Sequence, residues 1–256
     1  MKPLQKKESL THRSSFTYDI ITLFWRRELI KYIFFDIDDT LFDFKRSEKV
    51  ALSKTLEALG IEPSEDVISL YSNINRSQWE ALERGEVTRE VILYRRYEIL
   101  FSELGVDANA KAAQKIYEKQ LSQTYYYLPG AEELLQKLYG NYRIFLASNG
   151  TAIVQDGRIA LSGIAKYADD IFISEKIGYN KPRREFFDIC FDRIDGFAKE
   201  YAIMIGDSLS SDILGGINAG IKTCLYNPNG LQLRNDIKPD YEVKALDEIP
   251  GLLERI

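Results

Sequence analysis

The chain has 256 residues, a formal net charge of −5 and 45% hydrophobic side chains, enough for one large core or a core with a smaller companion domain. Mild acidity without a Lys/Arg-rich block excludes the electrostatic footprint of a protein that binds nucleic-acid polymers. The single histidine, His12, lies in a polar segment outside any recognisable domain, so a Ser-His-Asp or Cys-His site lacks a base and a His/Cys zinc site lacks ligands.

Residues 1–29 read as an N-terminal extension of unassigned role. Its first half is polar and basic, and Asp19 interrupts the apolar part, with no small-residue cleavage pattern after it. No apolar run approaches the ~20 residues of a membrane span. The two cysteines, Cys190 and Cys224, cannot build a disulfide framework and read as buried thiols of a reducing, cytoplasmic compartment.

Lys31-Tyr32-Ile33-Phe34-Phe35 reads as a buried strand that runs into Asp36, Asp38 and Asp39. Three carboxylates at a strand's carboxyl end make either a polar turn or a seat for a cation, and Mg²⁺ is the hard, oxygen-seeking cation found beside phosphate. With histidine excluded, any acid–base work falls to carboxylates, lysine or tyrosine, which points to Asp36 and Asp38. Val50, Leu52, Leu56 and Leu59 then recur at helical spacing up to Gly60, and windows at 67–79, 88–104 and 108–123 repeat the pattern, with Gly85 and Gly105 as further helix ends.

Beyond Pro129-Gly130 the pattern alternates. Strands are expected over 143–148, 170–174, 201–205 and 221–226, with helices over 131–138, 153–161, 186–191 and 213–219, which argues for a parallel sheet covered on both faces. Polar motifs close several of these strands, where open α/β sheets bind ligands. Ser148-Asn149-Gly150 is either a common turn or a set of phosphate donors on flexible backbone. Pro182 suits the first position of a helix, with Lys181 before it and able to reach inward. Gly206 permits a sharp exit from its strand. Asp207 then fits a metal ligand, and Asp212, four residues past Ser208, fits either a ligand or an acceptor that orients one.

Asp36-x-Asp38-x-Thr40, Ser148-Asn149, Lys181 and Gly206-Asp207 with Asp212, in that order, resemble the haloacid dehalogenase-like superfamily. The resemblance implies an α/β fold: a Rossmann-like parallel-sheet core (30–45 and 126–256) with a small α-helical cap (46–125) inserted after the first strand, which lies between the strands carrying the second and fourth motifs. It also implies a Mg²⁺-dependent phosphomonoester hydrolase. Asp36 would attack phosphorus and form an aspartyl-phosphate, and Asp38 would act as acid and then base. Asp36, the backbone of Asp38, and Asp207 would hold the metal with Asp212 nearby, while Ser148, Asn149 and Lys181 would take the phosphate charge. Members that remove halide lack the second aspartate, so Asp38 favours a phosphatase.

Residues 206–220, Thr40-Leu41-Phe42, Ser174-Glu175-Lys176-Ile177-Gly178, and Trp79 with Gly85 are similar to bacterial pyrimidine 5′-nucleotidases, which implies nucleoside monophosphates as substrates. Phe42, Phe44, Trp79 and the Tyr125-Tyr126-Tyr127 run are then candidates to stack on a base, with core packing the alternative for each. The competing readings are a sugar-phosphate or phosphoglycolate phosphatase on the same scaffold and a non-catalytic binding module. The latter would be marked by loss of Asp36, Asp38, Lys181 or Asp207. The expected partner is a small phosphomonoester, and the expected assembly a monomer or homodimer.

Overall fold

The computed structural model describes residues 29–230 and 236–256, so the N-terminal extension lies outside the described residues but for Leu29. The organising element is β1 (Tyr32–Phe35), buried along its whole length. Its side chains alternate: Ile33 and Phe35 enter one apolar cluster, Tyr32 and Phe34 the other. β2 (Arg143–Ser148), β3 (Asp170–Ile173), β4 (Ala202–Gly206), β5 (Lys222–Tyr226) and β6 (Tyr241–Val243) complete a parallel sheet of order β3-β2-β1-β4-β5-β6. Phe35 pairs with Leu146 on one side and Ile205 on the other, so β2 runs two residues and β4 one residue beyond the end of β1. The chain leaves β1 towards β2–β3 and later towards β4–β6, which opens a crevice at these carboxyl ends.

Four helices follow β1 directly: α1 (Phe44–Ala58), α2 (Glu65–Glu83), α3 (Arg89–Leu104) and α4 (Ala110–Ser122). Asp43, Ser64 and Asn109 cap the first, second and fourth by accepting from backbone N–H groups of the first turn. These helices share an apolar cluster of their own around Leu52, Leu56, Tyr71, Tyr97 and Leu100, and Val154 from the helix after β2 joins it. The remaining helices cover the sheet. α5 (Ala131–Leu138) and α6 (Ala152–Ser162) place Leu134, Leu135 and Ile159 on the Ile33 face. After the short α7 (Ser174–Ile177), α8 (Arg184–Asp192) places Phe186, Phe187 and Phe191 on the Phe34 face. Phe34 stacks on Phe145 at 5.0 Å and meets Phe191 edge-on at 5.6 Å, so its truncation to alanine would cost about 3–5 kcal/mol.

Three details depart from the sequence reading. Pro182 does not open a helix: α8 starts at Arg184, and Pro182 follows Lys181 through a cis peptide bond. The turn after β4 is a π-type coil over Leu209–Ile213 that runs into α9 (Leu214–Ala219). β6 and α10 (Ile249–Leu253) were not anticipated, because a three-residue edge strand shows no legible alternation. Among the described residues no helix is long and apolar enough to cross a membrane.

Candidate active site

The loop after β1 sorts its three acids. Leu41 N and Phe42 N both donate to Ile37 O, at 2.9 and 2.8 Å, and the tight loop they close holds Asp39 at φ +59°. Asp39 turns away from the crevice, and its Oδ1 accepts from Phe44 N at 3.1 Å, at the start of α1. Asp36 and Asp38 face a cavity between the strand ends and the four-helix layer.

Lys181 is the cationic centre of this crevice. It is 1% exposed, and its Nζ donates to Asp36 Oδ1, Asp212 Oδ1 and Ala147 O, each at 2.6 Å. An ammonium has three donors, and all three are taken. Burial works to lower the lysine's pKa, but the charges of Asp212 and Asp36 outweigh it and raise it, so the side chain stays charged. Asn149 holds the lysine's backbone from both sides: its Oδ1 accepts from Lys181 N and its Nδ2 donates to Lys181 O, both at 2.9 Å. Its Nδ2 also donates to Ser211 Oγ at 3.0 Å. The side chain of Asn149, expected to offer phosphate donors, therefore positions Lys181 instead. Ser148 Oγ accepts from Gly150 N and Gln155 Nε2, which leaves its own O–H for a ligand.

Asp207 stands at the end of β4, where Thr40 Oγ1 donates to its Oδ1 at 3.3 Å. Asp212 folds back from the π-type coil, with its second oxygen accepting from Ser208 N at 3.0 Å. That return explains Gly206 by space rather than by dihedral freedom, since a Cβ there would meet the Cβ of Asp212 at 2.6 Å.

Asp36, Asp207 and Asp212 each offer a carboxylate oxygen within 4.8 Å of the others. One lysine charge stands against these three carboxylates. Burial pushes Asp36 up to about 8, Lys181 opposing the rise while Asp212 and Asp38 add to it. Asp207 is raised well above the usual carboxylate range by burial and then by Asp212 and Asp36. Crowded, desolvated oxygen donors with too little positive charge are the donor set that a hard divalent cation fits.

The aromatic candidates separate. Phe44 and Trp79 line the cavity beside Leu93, Leu121 and Val154. Phe42 does not: it is fully buried, packed on Tyr125 and Tyr127 with the Arg158 guanidinium 5.1 Å from its ring centre, so it backs the site rather than lining it.

Four polar residues that sequence reasoning missed tie this site together. Asp38 is held by Gln155 Nε2 at 2.6 Å and by Arg158 Nη1. Arg89, at the first turn of α3, donates to Asn149 O at 2.8 Å and Ser174 Oγ at 2.6 Å. Glu83, the last residue of α2, accepts from Ser210 Oγ at 2.7 Å. No local signal marked Gln155 and Arg158, which share their helix with the equally polar but exposed Asp156.

Comparison with known proteins bears on the family and the fold. Residues 33–226 match the model of a family described as haloacid dehalogenase-like hydrolase. The chain is 35% identical over 226 residues to the pyrimidine 5′-nucleotidase PynA of Streptococcus pneumoniae, covering 88% of this chain and 95% of that one. It is 30% identical over 222 residues to the pyrimidine 5′-nucleotidase YjjG of Escherichia coli, covering 87% and 97%. The crystal structure of the HAD-hydrolase YfnB from Bacillus subtilis bound to magnesium matches with a TM-score of 0.85 at 34% identity, covering 88% and 99%.

Proposed function

The chain belongs to the haloacid dehalogenase-like hydrolase family, and from that premise we propose that it is a Mg²⁺-dependent nucleoside 5′-monophosphate phosphatase acting on pyrimidine nucleotides through a phosphorylated Asp36. The observation that carries this reading is that Asp36 and Asp38 share one cavity whose far wall, from the four-helix layer taken here as the cap, sets Phe44, Trp79, Leu93 and Leu121 among the polar side chains of Glu83, Arg96, Tyr117 and Glu118. A flat base can stack on the aromatic part of such a wall while its polar edge meets the charged side chains beside it.

Each residue's part follows from its contacts. Among the described residues no hydrogen bond engages the Oδ2 of Asp36, while Lys181 fixes Oδ1, so Oδ2 is the oxygen presented for attack. It forms the new bond to phosphorus as the bond from phosphorus to the nucleoside oxygen breaks, and Asp38 gives that leaving oxygen its proton. Asp38 then takes a proton from the water whose oxygen attacks the aspartyl-phosphate, and inorganic phosphate leaves with Asp36 restored. The Ser148 hydroxyl takes charge on the transferring oxygens. Asp36, Asp207 and the Asp38 backbone carbonyl would hold Mg²⁺, which when bound supplies the positive charge that screens phosphate from the carboxylates. Asp212, both of whose oxygens are engaged, orients Lys181 beside them. The free, buried thiols Cys190 and Cys224 fit a reducing cytoplasm.

The test is phosphate release from a panel of nucleoside monophosphates and sugar phosphates, with Mg²⁺ and with chelator. Release that favours pyrimidine nucleotides, needs the metal and vanishes in Asp36→Asn is the expected result. A preference for sugar phosphates would overturn the substrate reading, and no release from any ester would overturn the activity itself.

A further inference from the structure

We propose that Gln155 and Arg158 are positioning residues for the acid–base step: together they fix the carboxylate of Asp38 and link it to the phosphate-side hydroxyl of Ser148. This inference rests on the phosphatase reading above. Both residues lie on α6, three positions apart and therefore on one helix face, and both are 0% exposed. Gln155 Nε2 donates to Asp38 Oδ2 at 2.6 Å and to Ser148 Oγ at 2.8 Å. Arg158 Nη1 donates to Asp38 Oδ1, with Gln155 Oε1 a further acceptor at 3.4 Å. Both oxygens of Asp38 are thus anchored, and each keeps a second acceptor site for a proton in transit.

A packing role does not account for this arrangement. Among the described residues, Nε and Nη2 of Arg158 have no hydrogen-bond partner, and its only ion pair is with Asp38. An apolar side chain of similar volume would fill the space at lower cost than a buried, partly unpartnered guanidinium. The ring of Phe42, 5.1 Å from the guanidinium, fixes the group from behind and leaves its charge directed to one carboxylate. The turn after β2 is also shaped for the contact. Gly150 has no positive φ to explain it, but a Cβ there would meet Gln155 Nε2 at 2.5 Å. The glycine clears the path by which Gln155 reaches across to Ser148 and Asp38.

The consequence is specific to the chemistry. If Gln155 and Arg158 place the proton donor, their loss harms substrates whose leaving oxygen needs a proton and spares those whose leaving oxygen does not. The experiment compares kcat/KM, which reports steps up to phosphoryl transfer, for uridine 5′-monophosphate and for p-nitrophenyl phosphate. Arg158→Met is expected to lower kcat/KM for the nucleotide by about 100-fold, within the range of general-acid effects, and that for the aryl ester by less than about 5-fold, with KM for the nucleotide within about twofold. Arg158→Lys, which keeps a cationic donor, is expected to recover part of the nucleotide activity. Gln155→Met, of nearly equal volume, is expected to show the same split more weakly, and it carries the test should Arg158→Met fail to fold. Equal losses on both esters, or no loss on either, would overturn the inference while leaving the phosphatase standing. A wild-type protein inert toward both esters would overturn the functional reading and this inference with it.

Discussion

Lys181 shows how much of this site one side chain holds in place. Its three hydrogen bonds share one positive charge between Asp36 and Asp212 and reach the carbonyl of Ala147, with the lysine itself buried. Lys181→Met would leave two buried carboxylates without their counter-charge. We expect a loss of about 3–5 kcal/mol by denaturant unfolding in chelator, together with loss of phosphate release. Gly206→Ala tests the same cluster from the backbone, because the added Cβ pushes on Asp212 and through it on Lys181. A cost of about 1–3 kcal/mol with a fall in kcat is expected, and a variant as stable and active as the parent would contradict the packing described. These residues were legible in the sequence because aspartates, a lysine and a glycine stood at strand ends in a known order. Gln155 and Arg158 were not, since nothing in a helix's own sequence distinguishes a polar side chain turned to water from one turned inward to the carboxylate of Asp38.

At the scale of elements, two helix ends tie the four-helix layer to the loops at the sheet's edge: Glu83 closes α2 against Ser210, and Arg89 opens α3 against Asn149 and Ser174. Burial pushes Glu83 up to about 7, the Ser210 hydrogen bond opposing and the charge of Asp212 adding to the rise. An acid whose pKa is raised on folding contributes stability that is fully present below its unfolded value, near 4.5, and lost as pH rises through about 7. Glu83→Gln should therefore flatten the fall of the melting temperature between pH 5 and pH 8, measured in chelator. A slope unchanged by the substitution would mean that Glu83 ionises as freely as a surface acid. The helices themselves were readable from periodicity and glycine stops, and β1, β2 and β4 from short apolar runs. The joints between the four-helix layer and the sheet were not readable, because they pair residues more than 50 positions apart whose local sequence is that of ordinary helix ends.

For the molecule as a whole, the crowded acids set function against stability, and a metal should reverse the balance. Asp207 is raised well above its usual range by burial and by the neighbouring Asp212 and Asp36, so the metal-free protein loses stability as pH climbs above the unfolded value of 3.8. Asp207→Asn removes that loss while an amide oxygen can still accept from Thr40. In chelator at pH 8 the variant should melt at or above the wild-type temperature, with an advantage that shrinks towards pH 5. Mg²⁺ acts in the opposite direction, because a ligand of the folded state at 100 times its Kd adds about 2.7 kcal/mol. For a chain of this size that is a rise of about 5–10 °C in wild type, and the variant, short of one carboxylate ligand, should gain much less. The order of melting would then invert between chelator and metal. A variant that melts below wild type in both conditions would place Asp207 in the scaffold rather than at a cation, whereas the inversion is what carboxylates held together for a metal require.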